Sequence, residues 1–295
     1  MVDAYRETLA AKVFASQDQD GCWNVLAKDS RYYPDFNFYV PNFKSTLWTL
    51  ILLADIGLDP DDKRVKRPLN IMIDHFTKNG HEIGSIGKSH FPIPCLNGNI
   101  LYLLSYFNRM DYAAFDVIID FFDKYQRFDD GDYRTPTKFP YFSNRSCYGK
   151  HTCYWGVVKL LKGLSFIPKE NRSNQVNNLI QKCIAYILKH NVCYSSHEDR
   201  KELSRGITRI TFPNMYGSDI LEILWILQRE RIISEKMSMA LDILQSKTLD
   251  DGTWKVDRKI GDLVVPIGKY VNAFITERAK GILAFYDNTY LANIT

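Results

Sequence analysis

The sequence predicts an all-α protein, an α/α toroid of helical hairpins, from three observations. Apolar residues recur with the 3.6-residue period of an α-helix in five pairs of segments. A short phrase containing Asp-Gly returns between the two members of the pairs. The first member of a pair is amphipathic, whereas the second is apolar on most sides. We expect one toroid domain over residues 1–295.

The phrase marks an internal repeat of about 50–60 residues, near the upper end for helical repeats. Its glycine can adopt positive φ in a turn, and the aromatic residue after it is expected to be buried. The clear copies are "QDQDGCWN" (17–24), "RFDDGDY" (127–133) and "KTLDDGTWKV" (247–256), and the weaker ones are "KNGHEIGS" (78–85) and "KHNVCYSS" (189–196).

The apolar pattern gives approximate positions for both sets of helices. A helix that is apolar on all sides is buried, so the second members are expected in an inner ring and the first in an outer ring. An open solenoid is the alternative, and inner helices that need cover on both sides favour closure. The first members are predicted at 3–16, 62–77, 110–126, 170–190 and 233–246, and the second at 43–57, 95–107, 151–165, 215–230 and 268–286.

Composition excludes several classes of protein. The formal charge of +4 arises from 38 basic and 34 acidic residues that are mixed along the chain, without a basic block for nucleic acid. The longest apolar runs fall short of the ~20 residues of a membrane span. The N-terminal residues lack the plan of a signal peptide, so we expect a cytoplasmic protein. Its six cysteines are then reduced thiols or metal ligands.

The segment "CYGKHTCYW" (147–155) predicts a metal site. Cys147, His151 and Cys153 lie close to the start of an inner helix, and Cys95 in "PCLNGN" starts the preceding one. In a toroid these starts meet at one mouth, where helix N-termini favour thiolate. Three thiolates and an imidazole suit tetrahedral Zn²⁺. Reduced core residues and a Cys–His nucleophile pair are the alternatives.

A second polar group precedes another inner helix. Asp219 and Glu222 are three residues apart and share a helical face, and His197 could join them for acid–base catalysis. The alternative is that Ser218 and Asp219 cap the helix and that Glu222 is solvated.

Polar and aromatic residues at the inner-helix starts are candidates for binding a hydrophobic, isoprenoid-sized small molecule. The aromatic ones fit simple core packing as an alternative, because they recur at helical spacing. The oligomeric state is not indicated by the sequence. The candidates are Trp48, Asn97, Asn99, Tyr154, Trp155, Tyr216 and Lys269.

These motifs carry a family resemblance. "QDQDGCWN" and "LDDGTWKV" resemble the Gln-Trp repeat of squalene–hopene cyclases, and "HTCYWGVVKLLKGL" is similar to an inner-helix start in protein prenyltransferase β subunits. The chain thus resembles the terpenoid cyclase/protein prenyltransferase superfamily, and more closely a bacterial group described as squalene cyclase-like or prenyltransferase-like. "PCLNGN" and "FPNMYGSDILE" recur in that group in this order.

The resemblance implies a toroid and an enzyme that handles isoprenoids or polycycles. In prenyltransferases an aspartate, a cysteine and a histidine hold zinc, and His151 matches that histidine. An upstream Asp-x-Cys is missing, so Cys147 and Cys153 would take those places. A non-catalytic toroid that binds a ligand or partner and holds structural zinc is the second hypothesis, since the fold does not imply the reaction.

"GLDPDDKRV" (57–65) contains the Asp-x-Asp-Asp pattern of class II terpene cyclases, at Asp59, Asp61 and Asp62. A protonating acid must be buried with a raised pKa. We interpret the phrase instead as a loop between helices, in which Gly57 ends one helix and the aspartates cap the next.

Overall fold

The computed structural model describes residues 2–23, 25, 27–30, 43–78, 93–141, 145–149, 151–268 and 270–292. It confirms the all-α class. The α-helices are α1 (Val2–Ala15), α2 (Thr46–Asp55), α3 (Lys63–Lys78), α4 (Pro94–Tyr106), α5 (Ala113–Tyr125), α6 (Arg145–Tyr148), α7 (Tyr154–Ser165), α8 (Asn174–Lys189), α9 (Ile220–Arg229), α10 (Ser238–Ser246) and α11 (Tyr270–Ala292).

Every predicted helix is present, and α6, of one turn, is the one α-helix in the described ranges that was not predicted. A small parallel pair of strands, β1 (Thr211–Phe212) and β2 (Arg258–Lys259), was also missed. Two-residue strands leave too little alternation for a period of two to be recognised.

The chain divides into two compact units. Unit 1 comprises Met1–Tyr5, Ile184–Ile260 and Ile267–Thr295, and unit 2 comprises Arg6–Cys183 and Gly261–Pro266. Within unit 2, α4 packs against α2, α5 and α7, and within unit 1 α9 packs against α10 and α11. The single toroid stays a prediction.

Four of the five predicted inner helices, α2, α4, α7 and α9, are largely buried, whereas α11 was wrongly predicted to be buried on all sides, since it exposes one face at Asn272, Glu277 and Lys280. All residues of α2 are buried, and in α4 only Tyr106 is not fully buried. In α9 the carboxyl-bearing Glu222 is buried with its apolar neighbours. Outer helices such as α5 bury one face only, through Ile118, Phe122 and neighbouring residues.

Two of the Asp-Gly phrases form the same turn in different units. Trp23 is fully buried and its Nε1 donates to Val13 O at 2.9 Å, near the end of α1. Trp254 does the same to Leu244 O at 2.8 Å, near the end of α10. In the remaining clear phrase, "RFDDGDY", the aromatic residue Tyr133 was predicted to be buried. This was wrong, because Tyr133 is 74% exposed. The weak phrase at 78–85 lies outside the described residues after position 78.

The "GLDPDD" phrase is a loop, as predicted. Gly57 has φ +81° just after α2, and Leu58 N donates back to Leu53 O at 3.0 Å, which closes the helix end. Asp62 accepts a hydrogen bond from Arg64 N at 2.9 Å at the start of α3, and Asp61 is exposed. Neither is the buried acid that alkene protonation requires.

Candidate metal centre

The starts of α4 and α7 lie side by side because glycine allows the two backbones to touch. A Cβ atom on Gly98 would stand 2.6 Å from the carbonyl carbon of Lys159, and one on Gly156 would stand 2.6 Å from Pro94 Cβ. Pro94 on α4 lies against Gly156 on α7, and about one turn later Gly98 lies against Lys159. The two helices therefore run parallel. Their N-terminal ends therefore meet, as predicted for neighbouring inner helices.

Cys95 and Cys153 occupy these two ends. Cys95 is the second residue of α4, and Cys153 is the N-cap of α7, with its Cβ 3.8 Å from where a Cβ on Gly156 would stand. Burial raises the pKa of Cys95 most strongly, and the charges of Cys153 and Cys147 raise that pKa further. The three thiols therefore lie within electrostatic range of one another.

The thiols are protonated rather than activated. We expected the helix N-termini to favour thiolate, but burial outweighs this effect. It raises the pKa of Cys147 to about 12, and it raises the pKa of Cys153 even though hydrogen bonds from backbone N–H groups oppose it. A metal ion would reverse this balance, because a coordinated thiol is deprotonated.

The cysteines do not form a finished coordination sphere. Among the described residues, no set of three Cys, His, Asp or Glu ligand atoms that includes a cysteine lies within 4.8 Å of one another. The predicted zinc site of Cys95, Cys147, His151 and Cys153 therefore stays a prediction, which rests on convergence of the thiols.

His151 is oriented by a backbone carbonyl. Its Nδ1 donates to Asp130 O at 3.0 Å, and the side chain is 48% exposed. Metal-binding histidines commonly use one ring nitrogen in this way, and the bond sets Nε2 as the nitrogen for a metal.

Asp130 and His151 also form a possible ligand pair. Asp130 Oδ1 lies 3.6 Å from His151 Nδ1, and both side chains offer ligand atoms within the 4.8 Å that a shared ion requires. Unit 2 therefore contains side chains that could help to hold a metal ion, and their geometry does not identify the metal.

The repeat turn positions the loop that carries these residues. Arg127 Nη1 donates to Gly149 O at 3.0 Å, and Thr152 Oγ1 donates to Arg127 O at 2.9 Å. Arg127 also pairs with Asp129, whose pKa is lowered in spite of partial burial. The "RFDDGDY" turn thus holds Gly149 and Thr152 from the side of α5, which the sequence motif alone did not indicate.

The acidic group in unit 1 is buried, and Asp219 is a helix cap. Asp219 Oδ1 accepts from Glu222 N at 3.0 Å, and Oδ2 accepts from Thr211 N at 2.5 Å. Burial raises the pKa of Asp219 to about 6. Glu222 is fully buried, so the idea of a solvated Glu222 was wrong, whereas His197 is exposed.

The candidates for binding a small molecule fall into two groups. Four of them are buried in unit 2: Trp48, Asn97, Asn99 and Tyr154. The ring of Trp48 packs edge-on against that of Phe43, with 5.4 Å between the ring centres. Partial exposure is found for Trp155 and Tyr216. Lys269 lies outside the described residues.

Sequence reasoning missed a buried ion pair in unit 2. Lys162 Nζ lies 2.7 Å from Asp55 Oδ1, Tyr102 Oη donates to the same oxygen at 3.0 Å, and both charged side chains are inaccessible. The ammonium also lies 4.0 Å from the centre of the Tyr102 ring. A lysine inside the apolar segment "GVVKLLKGL" was the available signal.

Comparison with protein-family models, curated proteins and solved structures finds no match to this chain. The resemblance to the terpenoid cyclase superfamily therefore stays an expectation from the motifs. None of the helices in the described ranges is both long and apolar enough to cross a membrane.

Proposed function

We propose that this chain is a zinc-binding helical protein in which the metal fastens the 147–153 loop to the start of α4. Cys95, Cys147, Cys153 and His151 Nε2 would be the ligands. The observation that carries the proposal is the meeting of the α4 and α7 N-termini, with Cys95 on one and Cys153 on the other. Four protein ligands complete a tetrahedron, which is the form of a structural zinc site.

The bond from His151 to Asp130 supports this assignment. Because Nδ1 donates to the main-chain oxygen of Asp130, replacing the carboxylate leaves the imidazole oriented. Asp130 has φ +55°, and asparagine tolerates this left-handed conformation well. The variant Asp130→Asn therefore separates a cysteine site from one that uses the Asp130 carboxylate.

The test is metal analysis of the purified protein with matched variants. We expect one Zn²⁺ per chain, and a loss of most of it in Cys147→Ala and Cys153→Ala. Cys22→Ala, which removes a buried thiol outside the cluster, and Asp130→Asn should keep the metal. Metal-free wild-type protein, or loss of zinc in Asp130→Asn with full zinc in Cys147→Ala, contradicts the proposed ligand set.

Metal removal should also reveal a structural role. Because binding is coupled to folding, a chelator is expected to lower the melting temperature of the wild-type protein but not that of metal-free Cys147→Ala. An unchanged melting temperature would instead indicate a site with an open position, which can activate water or a substrate thiol.

A second candidate function is an isoprenoid- or polycycle-handling enzyme of the terpene cyclase or prenyltransferase type. The specific observation in its favour is Glu222, a fully buried carboxyl group in an apolar helix. The exposed position of Asp61 counts against a class II cyclase reaction at the "DPDD" loop.

Native mass spectrometry of the purified protein tests this second function. A hydrophobic ligand that copurifies would identify the substrate class, and Glu222→Gln should then lower turnover more than about a hundredfold with the fold intact. Absence of a ligand, and of turnover with prenyl diphosphates or polyprenes, would leave the non-catalytic zinc protein.

A further inference from the structure

A groove in unit 2 lies between α4 and α5, and it is separate from the metal centre. It has a volume of about 220 Å³. Asn97 and Cys95 are two residues apart on α4, which places them about 160° apart around the helix axis, on nearly opposite sides. The groove is lined by Asn97, Val117, Ile118, Asp120, Phe121, Lys124 and Tyr125.

Asn97 is the unusual group in this groove. It is 1% exposed, and within the described structure its Oδ1 has no hydrogen-bond partner. A buried carbonyl oxygen that has given up water without gaining a donor destabilises the fold. Asn97 lines the groove, and rotation of its amide group about the Cβ–Cγ bond, a soft torsion, would turn this unmet acceptor toward a ligand there.

The rest of the lining sets the character of the ligand. Ile118, Phe121 and Tyr125 supply aliphatic and aromatic surface. The charged groups lie on exposed residues and have contacts of their own: Asp120 accepts from Gln175 Nε2 at 3.1 Å, and Lys124 Nζ lies 4.9 Å from the centre of the Tyr125 ring. A neutral ligand fits this arrangement better than an ion.

The volume of the groove suits a small ring compound. An apolar cavity of about 150 Å³ holds benzene, so this groove has room for one aromatic ring and a few further atoms. We propose that it binds a small neutral ring compound whose O–H or N–H group donates to Asn97 Oδ1. This proposal is independent of the zinc proposal, since it uses none of the metal ligands.

Two near-isosteric probes test the inference in the purified, metal-containing protein. p-Cresol carries a donor and p-xylene does not, so calorimetric titration of both, on wild type and Asn97→Leu, isolates the hydrogen bond. We expect wild type to bind both, and the ratio of the two dissociation constants to change about tenfold in the variant, against p-cresol. A ratio unchanged within about twofold, or no binding to wild type, overturns the proposal.

A second variant locates the binding and covers a failure of Asn97→Leu to fold. Val117→Trp fills the groove from a residue that is 48% exposed, and it should abolish binding of both probes. Val25→Trp, at an exposed valine outside the lining, is the matched control and should bind as wild type does. In wild type, the side-chain amide NMR signals of Asn97 should shift with p-cresol much more than with p-xylene. Unchanged binding in Val117→Trp, or equal shifts, also contradicts the inference.

Discussion

Trp23 and Thr46 hold each other through two hydrogen bonds: Trp23 N donates to Thr46 Oγ1 at 3.1 Å, and this hydroxyl group donates to Trp23 O at 3.2 Å. In unit 1, Trp254 and Thr276 repeat the arrangement: Trp254 N donates to Thr276 Oγ1 at 2.9 Å, and this hydroxyl group donates to Trp254 O at 3.3 Å. One threonine on the helix that follows the turn, the first residue of α2 or the seventh residue of α11, thus satisfies both backbone groups of the tryptophan. This contact gives the Asp-Gly repeat its structural meaning.

Replacing Thr46 by valine should therefore destabilise the protein far more than its loss of one oxygen suggests. Thr46→Val leaves a buried N–H and a buried C=O of Trp23 unpaired, and we expect the free energy of unfolding to fall by about 2–3 kcal/mol. Urea denaturation measures this change. Thr77→Val, at an exposed helical threonine, is the control and should change it by less than about 0.5 kcal/mol. Equal losses of unfolding free energy in the two variants would show that the hydrogen bonds between Thr46 and Trp23 contribute no more than an exposed threonine does.

The close contact of α4 and α7 should not tolerate a methyl group. In Gly98→Ala the new Cβ would overlap the backbone of Lys159, so the helices must separate, at a cost of about 1–3 kcal/mol in unfolding free energy. Zinc content should fall as well, because Cys95 and Cys153 lie on these two helices. Gly281→Ala, which meets nothing within 4 Å inside α11, should stabilise by about 0.5–1 kcal/mol. A stable Gly98→Ala protein with full zinc would refute the close-packing argument.

The buried pair of Asp55 and Lys162 should show strong non-additivity. Lys162→Met leaves the Asp55 carboxylate buried without its ammonium partner, and a loss of about 3–5 kcal/mol is expected. Asp55→Leu should lower the free energy of unfolding by a similar amount, because it leaves the Lys162 ammonium group buried without its carboxylate partner. The double variant should cost much less than the sum, because an apolar pair needs no compensation. A double-mutant cycle by urea unfolding measures the coupling, and additive losses would mean that the two charges do not stabilise each other.

Asp219 should make stability depend on pH between about 4 and 6. Its folded-state pKa is raised from 3.8 to about 6, so the folded state binds more protons than the unfolded state in this window. The contribution of Asp219 to stability is therefore full below pH 3.8, and it falls as pH rises to 6, by up to about 1.4 kcal/mol per pH unit.

Urea unfolding of wild type and Asp219→Asn at several pH values measures this contribution as a difference. The difference in unfolding free energy between the two proteins should change between pH 4 and 6 and stay constant above pH 6. Asp251→Asn, at an exposed aspartate whose pKa is lowered by hydrogen bonds from Thr253, should leave the decline between pH 4 and 6 in place. A pH-independent difference for Asp219→Asn would show that the carboxyl group has an ordinary pKa in the folded protein.

Much of the secondary structure could be predicted from the sequence because it depends on local pattern. The 3.6-residue period located α1 to α5 and α7 to α11, and Asp-Gly phrases located turns in which Gly21 and Gly252 do have positive φ. Helix periodicity and turn residues act over a few positions, so one sequence is enough to recognise them. The cap at Asp219 and the loop at Asp61 follow from the same local chemistry.

The contacts between distant segments were decided by tertiary structure. Nothing near Asp55 in the sequence indicates that Lys162, more than a hundred positions later, would neutralise it. Neighbouring helix starts for Cys95 and Cys153 were expected from the repeat, but the pKa values of these thiols were expected to be lowered. They are raised, since burial by surrounding helices outweighs the local field of a helix end. Periodicity states which face of a helix is apolar, whereas the depth of burial and the partner across a contact depend on how whole helices pack.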